Sequence, residues 1–202
     1  MYIKRGFDIA LALLGMLFLV IPFLIVSILI LVDSKGGVFY RQTRVGRNMI
    51  DFELLKFRTM YTNSDQAGLL TVGDHDKRIT RLGYWLRKYK IDELPQLINV
   101  LKGDMSFVGP RPEVNKYVAL YDAQQQKVLS VKPGITDWAS IAFSEENELL
   151  AKSDDPESFY INEIIPSKII QNLKYINKHD LWVDLTIIFL TLKKIMIRSS
   201  HS

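Results

Sequence analysis

Hydrophobic residues are arranged in two ways along this chain. From Ile9 to Val32 they form one apolar run, IALALLGMLFLVIPFLIVSILILV, without an ionisable side chain. From residue 33 onward they recur at short periods among charged positions. About 20 apolar residues suffice for a helix to cross the hydrocarbon of a bilayer, so the first stretch predicts a membrane-inserted helix. A cleaved signal peptide would share the basic start at Lys4 and Arg5, but the run is too long and no small-residue cleavage site follows it. Pro22 removes a backbone donor near the middle and clashes with the preceding turn, which predicts a bend. Lys4 and Arg5 before the run, and Lys35, Arg41, Arg44 and Arg47 after it, draw both flanks to the cytoplasmic side. A re-entrant helix-break-helix at Pro22 satisfies both flanks, and a kinked spanning helix is the alternative. Residues 1–35 are read as the membrane segment and 36–202 as a cytoplasm-facing domain.

In that domain, VFYRQTRVGRN and MIDFELLKFRTM predict two strands of a short β-hairpin, turning at Gly46 to Asn48. Lys56 and Arg58, two residues apart, would then share one face. Tyr61 to Asp76 reads as a loop. Ile79, Leu82, Trp85, Leu86 and Tyr89 recur at helical spacing and predict an amphipathic helix over Arg78 to Tyr89 with a cationic outer face. IDELPQLINVLKG predicts a short helix with Asp92 as N-cap, Pro95 in its first turn, a stripe of Leu94, Leu97, Ile98 and Leu101, and Gly103 as terminator. Gly109-Pro110-Arg111-Pro112 predicts a stiff loop. Val114 to Val131 reads as helix and KPGITDW as a turn. Ser144 to Lys152, Asn162 to Asn177 and Leu181 to Arg198 read as helices, the last packing in the core or lying on the membrane surface. The fold class is α+β, mainly helical.

Composition narrows the chemistry. The 202 residues include no cysteine, which excludes disulfides, thiolate metal sites and cysteine nucleophiles. The net charge of +4, with basic residues crowded toward the first ninety positions, points to anionic partners. No P-loop or Gly-rich dinucleotide fingerprint is present, and His75, His179 and His201 lack metal-ligand spacing. Asp92 and Glu93 are the candidate reactive pair. An acidic N-cap followed by an acid in the first turn is ordinary helix chemistry, but a helix N-terminus also keeps carboxylates ionised and binds phosphate oxygens. An ionised aspartate attacks phosphorus once a divalent cation screens the phosphate charge. Arg87, on the preceding basic helix, and Arg111, clamped between prolines, are candidate phosphate ligands. Lys56 and Arg58 are candidates of the same kind.

The proline-broken membrane helix, KFRTM at Lys56 to Met60, LRKYKIDELPQLINVLKGDMSFVGPRPE at Leu86 to Glu113, and KPGIT at Lys132 to Thr136 together resemble the small monotopic phosphoglycosyl transferases of the bacterial sugar transferase family. The resemblance covers most of the chain. It implies a re-entrant membrane helix, an active site on the cytoplasmic face of the bacterial inner membrane, Mg²⁺, and a ping-pong reaction. In that reaction Asp92 matches the aspartate that carries the phosphosugar and Glu93 its metal-binding partner. A UDP-sugar would be the donor, undecaprenyl phosphate the acceptor and UMP the first product, at the start of surface glycan assembly. Lys56, Arg58, Arg87, Arg111, Lys132 and Thr136 fall at positions expected near the substrates. Two departures stand out. Ile21 precedes Pro22 where many relatives have serine, and Asp137-Trp138 followed by SEENELLAKSDDPE replaces a glycine and a short polar run. A non-catalytic scaffold for anionic lipid and a metal-dependent phosphohydrolase are the competing readings. A nucleic-acid partner is not expected, because it leaves the apolar N-terminus and the clamped Arg111 unexplained.

Overall fold

A computed structural model of the chain describes residues 2–64, 68, 70–73 and 76–200. His75, His201 and residues 65–67, 69 and 74 of the expected loop lie outside the described residues. The first helix, α1 (Tyr2–Asp33), runs through Pro22 as one element, without the break expected there. Among the described residues it is the one helix long and apolar enough to cross a membrane. Leu17, Phe18, Ile21 and Leu24, around the proline, are exposed. Pro22 has no N–H to donate to the preceding turn, and Ser27, one turn on, donates its hydroxyl to the Phe23 carbonyl at 2.6 Å, a pairing that also favours bending.

Both ends of α1 are fastened to the same body. Near its start, Arg5 donates to the carbonyls of Val100 and Leu101 at 2.6 and 3.0 Å, and Asp8 accepts from Ser106 Oγ and Phe107 N at 3.1 Å each. At its end, Asp33 accepts from Leu82 N at 3.3 Å, and Arg58 donates to Ser34 Oγ and the Ser34 and Gly37 carbonyls. Ala12 is buried with Leu54, Val100 and Met105, while Ile30 is buried with Phe57 and Leu86.

The hairpin forms as its alternation predicts. Strand β1 (Phe39–Val45) pairs antiparallel with β2 (Asp51–Phe57), placing Tyr40 opposite Lys56. Helix α2 (Arg81–Lys88) starts at Thr80, whose hydroxyl accepts from Gly83 N at 2.9 Å. It is shorter than expected because this cap, two residues after Arg78, takes over the helix start. Helix α3 (Gln96–Lys102) ends at Gly103, in the left-handed region at φ 95°.

Two further strands were not expected, one just before the Gly109 to Pro112 loop and one in the KPGITDW turn. Strand β3 (Ser106–Val108) pairs in parallel with β4 (Gly134–Thr136), within KPGIT. Three-residue strands are too short to show alternation. Their approach requires glycine: a Cβ on Gly134 would lie 2.1 Å from Gly109 N.

The helix expected over Val114 to Val131 is broken into α4 (Asn115–Val118) and a 3₁₀ segment, Gln125–Ser130. The break falls at Asp122, whose carboxylate accepts from the backbone of Gln124 and Gln125 at 2.7 and 2.8 Å and restarts the chain. Helices α5 (Trp138–Ala142), α6 (Glu146–Ala151), α7 (Pro156–Phe159) and α8 (Ile165–Asn177) follow. A core of Tyr117, Val128, Leu150, Tyr160 and Ile164 sits among them. Helix α9 (Leu181–Ser200) buries Ile187 against Val108 and Tyr175. Its Asp184 accepts from Lys4 and from Tyr175 Oη, which joins the last helix to the first.

Candidate active site

Asp92 and Glu93 lie in a single 3₁₀ turn, Ile91–Glu93, entered through Lys90 in the left-handed region at φ 57°. Asp92 is therefore not the N-cap that the sequence suggests. Pro95 occupies that position with a φ already suited to helix, and α3 begins at Gln96. The turn explains the burial of both acids. With three residues per turn, Ile91 and Leu94 share one side and pack against the Ile30, Phe57 and Leu86 cluster. Asp92 and Glu93 then line a cavity of about 810 Å³.

Lys56, Arg87, Arg111 and Thr136 line the same cavity. Lys56 stands on β2, whose position against α3 is set by Asn99. The Asn99 carboxamide accepts from Leu55 N at 3.0 Å and donates to the Glu53 carbonyl at 2.7 Å, as a neighbouring strand would. Arg111 N donates to Asp137 at 3.1 Å, fixing the proline-clamped loop over the acids. Glu93 Oε1 accepts from Lys56 at 3.2 Å and from Arg111, which also reaches Oε2 at 3.2 Å. Asp92 Oδ1, in contrast, is buried without a hydrogen-bond partner.

This geometry separates the acids electrostatically. Burial raises the Asp92 carboxyl above its ordinary range, and neighbouring Glu93 adds to the rise against the opposing pull of Lys56. Burial would also raise Glu93, but Arg111 and Lys56 outweigh it and hold that carboxyl well below the usual range. The Lys56 ammonium is pushed down to about 8 by burial, with Arg111 adding to the effect and Glu93 opposing it.

Two expected substrate ligands stand apart from the acids. Arg58 lines the cavity, with its guanidinium hydrogen-bonded to Ser34 Oγ and to the Ser34 and Gly37 carbonyls just beyond α1. Lys132 lies away from the cavity near Arg5 and Gly103, where burial and Arg5 lower its pKa. Thr136 is at the wall with its hydroxyl paired to Thr191 at 2.7 Å. Arg44 is a cavity residue that sequence reasoning missed. It donates to Gln42 and to the Pro112 carbonyl, and Tyr40, Gln42 and Arg44 all line the cavity. Their spacing of two on β1 is the signal that would have found it. Lys168 and Glu146, paired across the cavity rim, had no local signal.

No group of three or more acidic or histidine side chains gathers around a metal position among the described residues. Mg²⁺ is commonly held by one or two carboxylates together with substrate phosphates and water. Asp92 Oδ1 suits that role. Glu93, the expected metal partner, has both oxygens engaged by cations.

A buried acid pair beside a cationic cavity wall, on a domain fastened to an apolar helix, suits chemistry on a phosphate carried by a membrane lipid. The profile of the bacterial sugar transferase family matches residues 1–198, and the chain belongs to that family. It is 38% identical over 198 residues to a UDP-N-acetylgalactosamine-undecaprenyl-phosphate N-acetylgalactosaminephosphotransferase of Aeromonas hydrophila, covering 96% of this chain and 44% of that protein. It is 39% identical over 198 residues to an undecaprenyl-phosphate glucose phosphotransferase of Komagataeibacter xylinus, covering 95% and 35%. The chain thus spans less than half of either relative. An uncharacterized sugar transferase, EpsL, of Bacillus subtilis is 37% identical over 199 residues, covering 98% and 89%.

Proposed function

We propose that this protein transfers a phosphosugar from a UDP-sugar to undecaprenyl phosphate, on the cytoplasmic face of a bacterial inner membrane. The observation that carries this reading is Asp92 Oδ1, a buried carboxylate oxygen without a hydrogen-bond partner, facing a cavity lined by Lys56, Arg87 and Arg111. Relatives that transfer sugar phosphates to undecaprenyl phosphate support the substrate class.

In the first step the Asp92 carboxylate attacks the sugar-bearing phosphorus, the bond to the UMP oxygen breaks, and UMP departs with that electron pair. Arg87, Lys56 and Arg111 bind the diphosphate, and Glu93 keeps the two cations beside it aligned. Asp92 and the substrate phosphates would hold Mg²⁺, which would neutralise charge on the diphosphate. In the second step a phosphate oxygen of the lipid attacks the same phosphorus and restores the carboxylate. Fastening of both α1 ends to one body supports a re-entrant helix, since a straight crossing would carry one end away from the domain.

Purified protein with Mg²⁺, undecaprenyl phosphate and a panel of UDP-sugars is expected to release UMP from at least one donor. Asp92→Asn should lose turnover, and mass spectrometry should find the phosphosugar on Asp92 in the wild type. Wild-type turnover by Asp92→Asn would overturn the nucleophile. Release of sugar 1-phosphate in place of a lipid product would favour the phosphohydrolase reading.

A further inference from the structure

The cavity that holds Asp92 has a second, apolar end. There its walls are Leu97 of α3, Phe107 of β3, Ile135 of β4, and Ile188, Leu192 and Ile195 of α9. On α9 these positions recur at i, i+4 and i+7, so one face of the helix closes this end. Leu97 links it to the membrane helix, because a Cβ on Gly15 of α1 would lie 3.3 Å from Leu97 Cδ1.

Helix α9, which lines this end, and α1, which packs on Leu97 without lining the cavity, both carry apolar surface outward. Leu192 forms part of the wall and is 56% exposed, and its neighbours Phe189 and Met196 are exposed as well. On α1, Leu13, Leu14 and Leu17 are exposed around Gly15. Leu192 therefore joins the cavity wall to an exposed apolar face of α9, beside Lys194, whose ammonium is turned to the Ile141 carbonyl at 2.6 Å, while Lys56 and Arg111 elsewhere on the wall meet an anion.

We infer that the apolar end lined by α9 is the binding channel for the isoprenoid chain of the acceptor, with the lipid phosphate directed toward Asp92. The inference rests on the proposed acceptor and adds the location of its hydrocarbon. Continuity with the exposed apolar face of α9 at Phe189, Leu192 and Met196 selects a lipid chain over a soluble apolar ligand. The cationic end matches a phosphate headgroup.

The test compares undecaprenyl phosphate with a ten-carbon polyprenyl phosphate, each as acceptor for wild type and Ile195→Trp. The bulky side chain should raise KM for the long lipid about tenfold, the scale of losing burial of roughly two methylene groups. KM for the UDP-sugar should be unchanged and the short lipid much less affected. Equal effects on both lipids, or an effect on the donor alone, would overturn the channel.

Photolabelling of wild-type protein with a diazirine-bearing polyprenyl phosphate, without donor, requires no turnover. It should label the α9 segment 188–195. Label confined to the outer surface of α1 would also overturn the assignment. If no UDP-sugar yields UMP while α9 is labelled, the transferase reading fails and the lipid channel stands.

Discussion

Asp92 and Glu93 differ by one methylene, yet their surroundings drive their protonation in opposite directions. The two cations that suppress the Glu93 pKa are also the ones a substrate phosphate would meet. Glu93→Gln is therefore expected to leave Lys56 and Arg111 facing each other without their shared carboxylate. About a third of the Arg111 side chain remains exposed, which moderates the loss to about 2 kcal/mol of unfolding free energy. Chemical denaturation in detergent measures it, and unchanged stability would refute the pairing. Lys56 sets a second expectation. Its ammonium loses the proton near pH 8, so kcat/KM should fall as pH rises through that value. Lys56→Arg, which keeps its charge, should move the fall to higher pH; an unaltered alkaline limb would exclude Lys56. The acids, Lys56 and Arg111 were legible because the chain places unusual residues at constrained positions. The anchoring of the Arg58 guanidinium beyond the end of α1 was not legible, because its partners lie 21 and 24 residues away along the chain.

Among the elements, the hairpin and α3 follow directly from alternation and helical spacing, whereas the β3 and β4 pair depends on a contact between Gly109 and Gly134 that no local pattern records. Gly134→Ala would force Gly109 away and with it the adjoining Arg111 loop. Turnover should fall at least tenfold, with near-normal activity counting against this close approach. Asn99 acts between elements rather than within α3. Its loss in Asn99→Ala leaves Leu55 N and the Glu53 carbonyl without their side-chain partner and should lower stability by about 3 kcal/mol. The same change should loosen Lys56 from Glu93, so the alkaline pH limb should shift in concert. A stability loss with an unchanged pH profile would confine Asn99 to a packing role.

Across the whole molecule, the absence of cysteine makes membrane topology accessible to single-cysteine labelling. Cysteines at Tyr2 and Lys35 should react with an impermeant maleimide only from the cytoplasmic side, whereas one at Ile21 should be protected from both. Reaction of Tyr2→Cys from outside would establish a spanning helix. The apolar run made a membrane helix legible, but its docking partners lie far along the chain. Arg5 finds its carbonyls 95 and 96 residues onward, and Lys4 meets Asp184 at a separation of 180. During synthesis α1 emerges well before those partners exist. A segment this apolar, emerging before its partners, would be held in lipid until the finished domain docks against both its ends. Insertion and domain closure would then be successive stages of a single assembly.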